Sequence, residues 1–343
     1  MTKTMRGVMF LGHGRVEVQE FPVPKPVGTQ VLVQVKAAGI CGSDMHRYHL
    51  KPEEIPPTIR GHEPSGVVAE VGEAVTFVKV GDRVSVYHAP ACNHCEPCAQ
   101  GYFFNCTTIG PGWRLGNKPH GGDADYVLVD QNVCFKLPDE LNFEDGAIIA
   151  CAGGTAYHAL NRAGGVRGSQ FALITGLGPV GLCAVLLANA MGATVIGADP
   201  SGYRRDQALK HGASFVIDPS SQSMIDEVKR ITGEGAEFAV ETSGSDQARI
   251  DLLRCTPYQA TLVYVGIGGR AANLMLGPGL GERLLTGSNM FTHADYFALV
   301  RLMLRHGLHF SDLVTHRFPI ARAKEAFDLM ETRETGKVML VWP

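Results

Sequence analysis

Between residues 7 and 35 apolar and polar side chains alternate, in Val16-Glu17-Val18 and again in Val31-Leu32-Val33-Gln34-Val35, with Pro22, Pro24 and Pro26 between the runs. A period of two predicts strands, and prolines so placed predict the loops between them. Short strands of the same kind are predicted at 66–71, 83–87, 126–129 and 133–137, punctuated by Gly, Pro and Asp. From about residue 144 the period changes. The stretch 144–162 is rich in Ala and Leu and predicts a helix broken at Gly153-Gly154. Apolar runs at 171–175, 194–198, 215–217, 238–241 and 261–265 then predict buried strands, alternating with helices at 179–191, 204–211, 224–232 and 247–255. That alternation predicts an α/β chain with a doubly wound parallel sheet after a β-rich first part. Helices at 295–306 and 322–332 and a strand at 338–341 follow, the last expected to return to the β-rich domain.

A chain of 343 residues is long for one core and predicts two domains. With 45% hydrophobic and 19% charged residues it can bury two cores. The formal net charge is -3 and the basic residues are scattered, which excludes a nucleic-acid footprint or a polybasic membrane surface. No run approaches the roughly 20 apolar residues of a membrane span, and residues 1–6 lack the apolar core of a signal peptide. The expected setting is the cytoplasm, with small soluble partners. There, nine cysteines predict metal ligands or free thiols rather than disulfides.

Three stretches carry chemistry. Cys41-Gly42-Ser43-Asp44-Met45-His46 packs a thiol, a hydroxyl, a carboxylate and an imidazole into six residues, although alone it reads more readily as a turn with a buried thiol. Gly176-Leu-Gly178-Pro179-Val180-Gly181 follows a predicted strand and opens a helix. Gly176 permits the turn, Gly178 a close approach of backbone to a pyrophosphate, and Gly181 tight packing of helix on sheet. Asp199 ends the next strand, where an acid bonds ribose hydroxyls and repels a 2′-phosphate, favouring NAD over NADP. Arg204 and Arg205 could instead hold that phosphate or be a solvated helix start. Finally, Cys92, Cys95, Cys98 and Cys106 have the spacing of a closed tetrahedral, structural Zn²⁺ site, with disulfides as the alternative.

Gly61-His62-Glu63, followed by Gly66, Gly72 and Val75, completes a pattern that resembles the zinc-containing alcohol dehydrogenases of the medium-chain dehydrogenase/reductase superfamily. The resemblance runs from the Cys41 stretch to Gly336-Lys337-Val338. It implies a GroES-like catalytic domain at 1–152 and 292–343, carrying the four-Cys lobe at about 90–110, and a Rossmann domain at 153–291. It also implies two zinc ions per chain. Cys41, His62 and Cys151 match the catalytic ligands, Glu63 a carboxylate that ligates transiently, and Asp44 the acid orienting His62. Ser43 matches the residue that takes the alcohol proton and His46 the group that passes it to solvent. Thr155 and Val265 join Pro179 and Val180 on the cofactor side.

The implied reaction is hydride transfer between an alcohol or ketone and NAD. Cys151 stands where polyol dehydrogenases of the superfamily often carry Glu. Ser43, in place of the Thr of many primary-alcohol enzymes, makes room for a secondary alcohol. His88, Trp113 and Asp123 are candidates for a polar substrate pocket suited to a sugar, cyclitol or amino sugar, and His88 and Asp123 read alternatively as solvated loop residues. A zinc-free NADPH quinone or enoyl reductase on the same scaffold is the competing enzyme class, and a non-catalytic dinucleotide-binding protein a third. A homotetramer or dimer is expected, with 262–266 and 273–276 extending the sheet across a twofold. Cys134, Cys183 and Cys255 read as buried thiols.

Overall fold

The computed structural model describes residues 3–110, 113–268 and 280–343, so the predicted sheet extension at 273–276 lies outside the described residues. The chain forms two compact units. One contains Met1–Cys151, Thr292–Thr332 and Lys337–Pro343, the other Ala152–Phe291 and Arg333–Gly336.

In the first unit the alternating runs form strands with few breaks. Thr4–Gly12 and Arg15–Pro22 make an antiparallel hairpin. The strand Gln30–Gly39 is central to a larger sheet. Pro64–Val71 pairs along one edge, followed outward by Arg83–Val86 and Cys134–Lys136. Tyr126–Asp130 and Lys337–Val341 share the other edge, and Val314–Pro319 lies beyond Lys337–Val341. Val31, Val33 and Val35 are fully buried, as the alternation requires; Leu32 is buried as well, while Gln34 on the same face is exposed. The C-terminal strand does return to this unit. The Val314–Pro319 strand was not predicted, since its polar His316-Arg317 pair interrupts any apolar run.

The second unit is a six-stranded parallel sheet in the spatial order Phe215–Ile217, Thr194–Ala198, Phe171–Thr175, Phe238–Glu241, Thr261–Tyr264, Leu284–Gly287. Leu173, Ile196, Ala239, Leu252 and Leu262 form its core. Three of its helices start the same way. Ser201, Ser223 and Ser245 each accept a hydrogen bond through the hydroxyl from the amide three residues on, satisfying a donor with no partner inside the helix. Among the described residues, Leu284–Gly287 has no strand on its outer edge.

Candidate functional site

The six-residue stretch is no turn. Gly42–Tyr48 is a helix whose first residue follows Cys41, and one Asp44 oxygen accepts from the Cys41 amide at 3.0 Å. The other Asp44 oxygen lies 3.3 Å from Nδ1 of His62. One buried carboxylate thus fixes the backbone that carries Cys41 and the ring of His62. With Nδ1 engaged, Nε2 of His62 faces the Cys151 sulfur at 3.6 Å. Cys151 sits in a π-helical turn, Ile149–Gly153, which lets the helical run continue through the predicted break.

Ligand atoms of Cys41, His62, Glu63 and Cys151 all lie within 4.8 Å of one another. Cys151 and His62 hold protons that a bound cation would displace. The Cys41 thiol is held well below its ordinary value, first by its hydrogen bond with Cys151 and then by His62 and Lys337. Cys151 is pushed up as the partner that keeps its proton. Burial would push His62 down, but Asp44 and Cys41 hold it well above the ordinary imidazole range. Two thiols, an imidazole and a nearby carboxylate form the donor set of an open Zn²⁺ site. Glu63 places one oxygen on Nζ of Lys337, which also donates to the Ile40 carbonyl at 2.9 Å. Its other oxygen is buried without a hydrogen-bond partner among the described residues, as suits occasional ligation. Burial of Glu63 outweighs the pull of Lys337 and raises its carboxyl to about 7.

The four-Cys lobe is as compact. Sγ atoms of Cys95 and Cys98 are 3.3 Å apart, and the Cys92–Cys98 and Cys95–Cys106 pairs are 3.9 Å apart. A tetrahedron with Zn–S bonds of about 2.3 Å needs sulfurs about 3.8 Å apart. All four cysteines are free thiols, so the disulfide alternative fails. The backbone amide of Cys98 lowers Cys95 to about 5, and a hydrogen bond with Thr108 lowers Cys92 to about 7, while burial raises Cys98 to about 12. Cys98→Ala should leave one zinc per chain and create protease cleavage within residues 92–110, as metal analysis and limited proteolysis would report.

Models of two families match the chain: the alcohol dehydrogenase GroES-like domain over residues 28–139, and zinc-binding dehydrogenase over residues 179–305. The uncharacterised zinc-type alcohol dehydrogenase-like protein YphC of Escherichia coli K12 is 34% identical over 99% of both chains. L-threonine 3-dehydrogenase of Symbiobacterium thermophilum is also 34% identical over 99% of both. The solved alcohol dehydrogenase TADH of Thermus sp. ATN1 superposes with a TM-score of 0.89 at 28% identity, over 98% of this chain and 99% of that one. The chain belongs to the zinc-containing alcohol dehydrogenases of the medium-chain dehydrogenase/reductase superfamily.

In this dehydrogenase Ser43 is half-buried and His46 exposed on the same short helix. His88 and Asp123 are both buried, not solvated. The His88 ring meets the His62 ring edge to face at 5.2 Å, and its Nδ1 bonds the Ala150 carbonyl at 3.1 Å. Burial lowers His88 to about 3, so the ring is neutral. Nδ1 then carries the proton, and Nε2 is an acceptor. Asp123 stands against Gly61, where a Cβ would come within 2.1 Å of its carboxylate and where φ is +88°. That contact and that dihedral require the glycine of Gly61-His62-Glu63. Burial raises Asp123 to about 8, and neither of its oxygens has a hydrogen bond among the described residues. Trp113 lines a cavity of about 450 Å³ that none of the metal ligands lines.

The second unit of the dehydrogenase carries the glycine loop. Gly176 has φ +83°, and a Cβ on Gly181 would lie 1.9 Å from the Gly176 carbonyl. Pro179 begins the helix Pro179–Ala190 after Gly178, with amides free to meet an anion. Asp199 accepts from the amides of Leu177 and Ser201, each at 2.8 Å, and Arg204 approaches it to 3.9 Å. Arg205 is turned away onto the Asp199 and Pro200 carbonyls and Asp218. Val265 follows the strand Thr261–Tyr264, and its amide bonds the Glu241 carbonyl at 2.9 Å. Thr155 is buried in the helix Gly154–Leu160. Lys337, Arg60 and Arg114 belong to the metal-bearing region but were not foreseen. Each is a lone basic residue in its stretch of sequence, and such residues read as solvated.

Proposed function

We propose that this dehydrogenase interconverts a secondary alcohol, bearing a further hydroxyl or amino group, and its ketone, with NAD as the hydride carrier. The observation that carries the reading is the cluster of Cys41, His62 and Cys151, with Glu63 beside it, in a chain that also holds an Asp199-tipped glycine loop. Bound zinc would supply Lewis-acid polarisation of the alcohol oxygen, and bound NAD the hydride acceptor. The remaining work falls to side chains. Asp44 keeps Nε2 of His62 turned to the metal position, Ser43 accepts the alcohol proton, and exposed His46 returns it to solvent. Nε2 of His88 accepts a hydrogen bond from the second hydroxyl or amino group. Asp199 favours NAD by accepting from the adenosine ribose.

The outer edge of Leu284–Gly287, which pairs with no strand among the described residues, supports a homo-oligomer, a tetramer or a dimer, formed by sheet extension. No described helix is long and apolar enough to cross a membrane, which agrees with a cytoplasmic enzyme.

The test is a screen of NAD reduction by zinc-loaded protein over primary alcohols, secondary alcohols, polyols and amino alcohols. Secondary polar alcohols should give the highest kcat/KM, and faster turnover of simple primary alcohols than of all of them would refute the reading. Ser43→Ala should lower kcat by about 10²–10⁴-fold with zinc content unchanged. Undiminished turnover would remove Ser43 from proton transfer.

A further inference from the structure

We propose that Glu241 and Arg249 are positioning residues for the dinucleotide, clamping together two loops that flank its crevice. The inference rests on the reading of the second unit as the NAD carrier and adds to it two residues outside the glycine loop and Asp199.

The strand order sets the crevice. The chain builds the sheet outward from Phe171–Thr175 in one direction and then from Phe238–Glu241 in the other, so the connections of these two neighbours diverge at their C-terminal ends. A ligand of such a sheet sits at that divergence. The glycine loop leaves the first strand, and Thr242-Ser243-Gly244 leaves the second and lies against it. The Thr242 hydroxyl donates to the Gly176 carbonyl at 2.5 Å, and a Cβ on Gly176 would come within 2.6 Å of the Ser243 amide nitrogen. A third loop begins at Val265, after the next strand along, Thr261–Tyr264.

Glu241 holds both of the later loops. Its backbone carbonyl accepts from the amides of Val265 and Gly266, at 2.9 and 3.0 Å. Its side chain is fully buried, and one carboxylate oxygen accepts from the amides of Ser243 and Gly244, at 2.6 and 2.8 Å, and from the Ser243 hydroxyl. The other oxygen faces Nε of Arg249 at 3.5 Å, and neither of these two atoms has a hydrogen bond among the described residues. Arg249 belongs to the helix Asp246–Arg254. Its remaining nitrogens donate to the carbonyls of Gly266 at 2.7 Å and Gly268 at 2.9 Å, and pair with Asp246 at 3.3 Å. A Cβ on Gly266 would lie 2.2 Å from the Gly244 amide nitrogen and 2.7 Å from the second Glu241 oxygen, so the two loops touch backbone to backbone.

An ion pair this buried gives a fold little that apolar side chains of the same size would not, because desolvation offsets the attraction. What it supplies here is geometry: carboxylate and guanidinium bind backbone groups of both loops and face each other between them. Loops held in place before a ligand arrives lose little freedom when it binds, so the clamp lowers the cost of binding the dinucleotide.

The test is a fluorescence titration of NADH into the zinc-loaded wild type, Glu241→Gln, Arg249→Met and the double variant. Glu241→Gln removes the charge that faces Arg249 and keeps the shape. Each single variant should weaken NADH about tenfold, and the double variant about tenfold as well rather than about a hundredfold, since either change alone opens the clamp. KM for NAD should rise by a similar factor and kcat fall by less, which marks lost binding rather than lost chemistry. Arg249→Lys keeps a cation but not the planar fork, and should recover part of the loss. It completes the same cycle with Glu241→Gln should Arg249→Met fail to fold. Single variants that bind NADH within about twofold of the wild type would overturn the proposal, as would losses that multiply in the double variant. A wild type that binds NADPH and not NADH would refute NAD as the carrier, and non-multiplying losses measured with NADPH would still uphold the clamp. A wild type that binds neither would overturn both. Clamp-dependent NADH binding in a protein that oxidises no alcohol would refute the reaction and leave the clamp standing.

Discussion

Replacing Lys337 by Met should lower the free energy of unfolding by about 3–5 kcal/mol at pH 8, measured by urea denaturation with zinc loaded. Lys337 and Glu63 are almost fully buried and face each other. Removing the ammonium leaves the carboxylate with one oxygen already lacking a hydrogen bond among the described residues and the other newly without one. Such a cost comes from a buried charge losing its partner, more than from the net worth of the pair. Glu63 can escape by taking a proton. Its carboxyl, already raised to about 7 by burial, would rise further without Lys337. A carboxyl raised in the folded state destabilises the protein increasingly as pH climbs from its unfolded value towards its folded one. The loss should therefore be small near pH 5 and deepen towards pH 8. Adding Glu63→Gln should recover most of it, and a double variant as unstable as Lys337→Met alone would place the cost elsewhere.

Cys41→Ala should leave one zinc per chain and reduce turnover by about 10³–10⁴-fold, the scale of losing several kcal/mol of Lewis-acid stabilisation. The substitution removes the sulfur but spares the local fold, because Asp44 grips the amide of residue 41 rather than its side chain. Circular dichroism should be unchanged, and the four-Cys lobe should keep its ion. Loss of both zinc ions, or turnover within tenfold of the wild type, would contradict the assignment of Cys41 as a ligand of the catalytic metal. Set beside Cys98→Ala, which should spare the catalytic zinc, the pair of variants assigns each ion to its own cysteines.

Most of the parallel sheet was legible because its strands are short apolar runs between well-marked helices. Leu284–Gly287 escaped because Leu-Leu-Thr-Gly has no alternation and only two apolar side chains. The predicted break at Gly153-Gly154 is explained differently by the structure. Gly154 sits in helix because a Cβ there would come within 2.2 Å of the Phe291 ring, so its small size serves packing rather than a turn. In the site, the ligand residues carried a signal through motif spacing, whereas their supports did not. Helix Gly42–Tyr48 is too short to show a period of 3.6 and follows a cysteine, a weak helix-capping residue. Lys337 meets Glu63 only through the pairing of Lys337–Val341 with Gln30–Gly39, a contact that spans nearly the whole sequence.

That pairing also orders events in time. The sulfur and imidazole donors all lie within the first 151 residues, so they emerge from the ribosome well before the strand Lys337–Val341 does. Until that strand docks against Gln30–Gly39, Glu63 has no ammonium beside it, and the central strand is paired on one edge alone along Ala37 and Ala38. Domains tend to fold as units during synthesis, N-terminal parts first. This one cannot: neutralising the charge beside its metal ligands is a late step, so a chain stalled within the second unit would display the donors of the metal site without the strand that stabilises them.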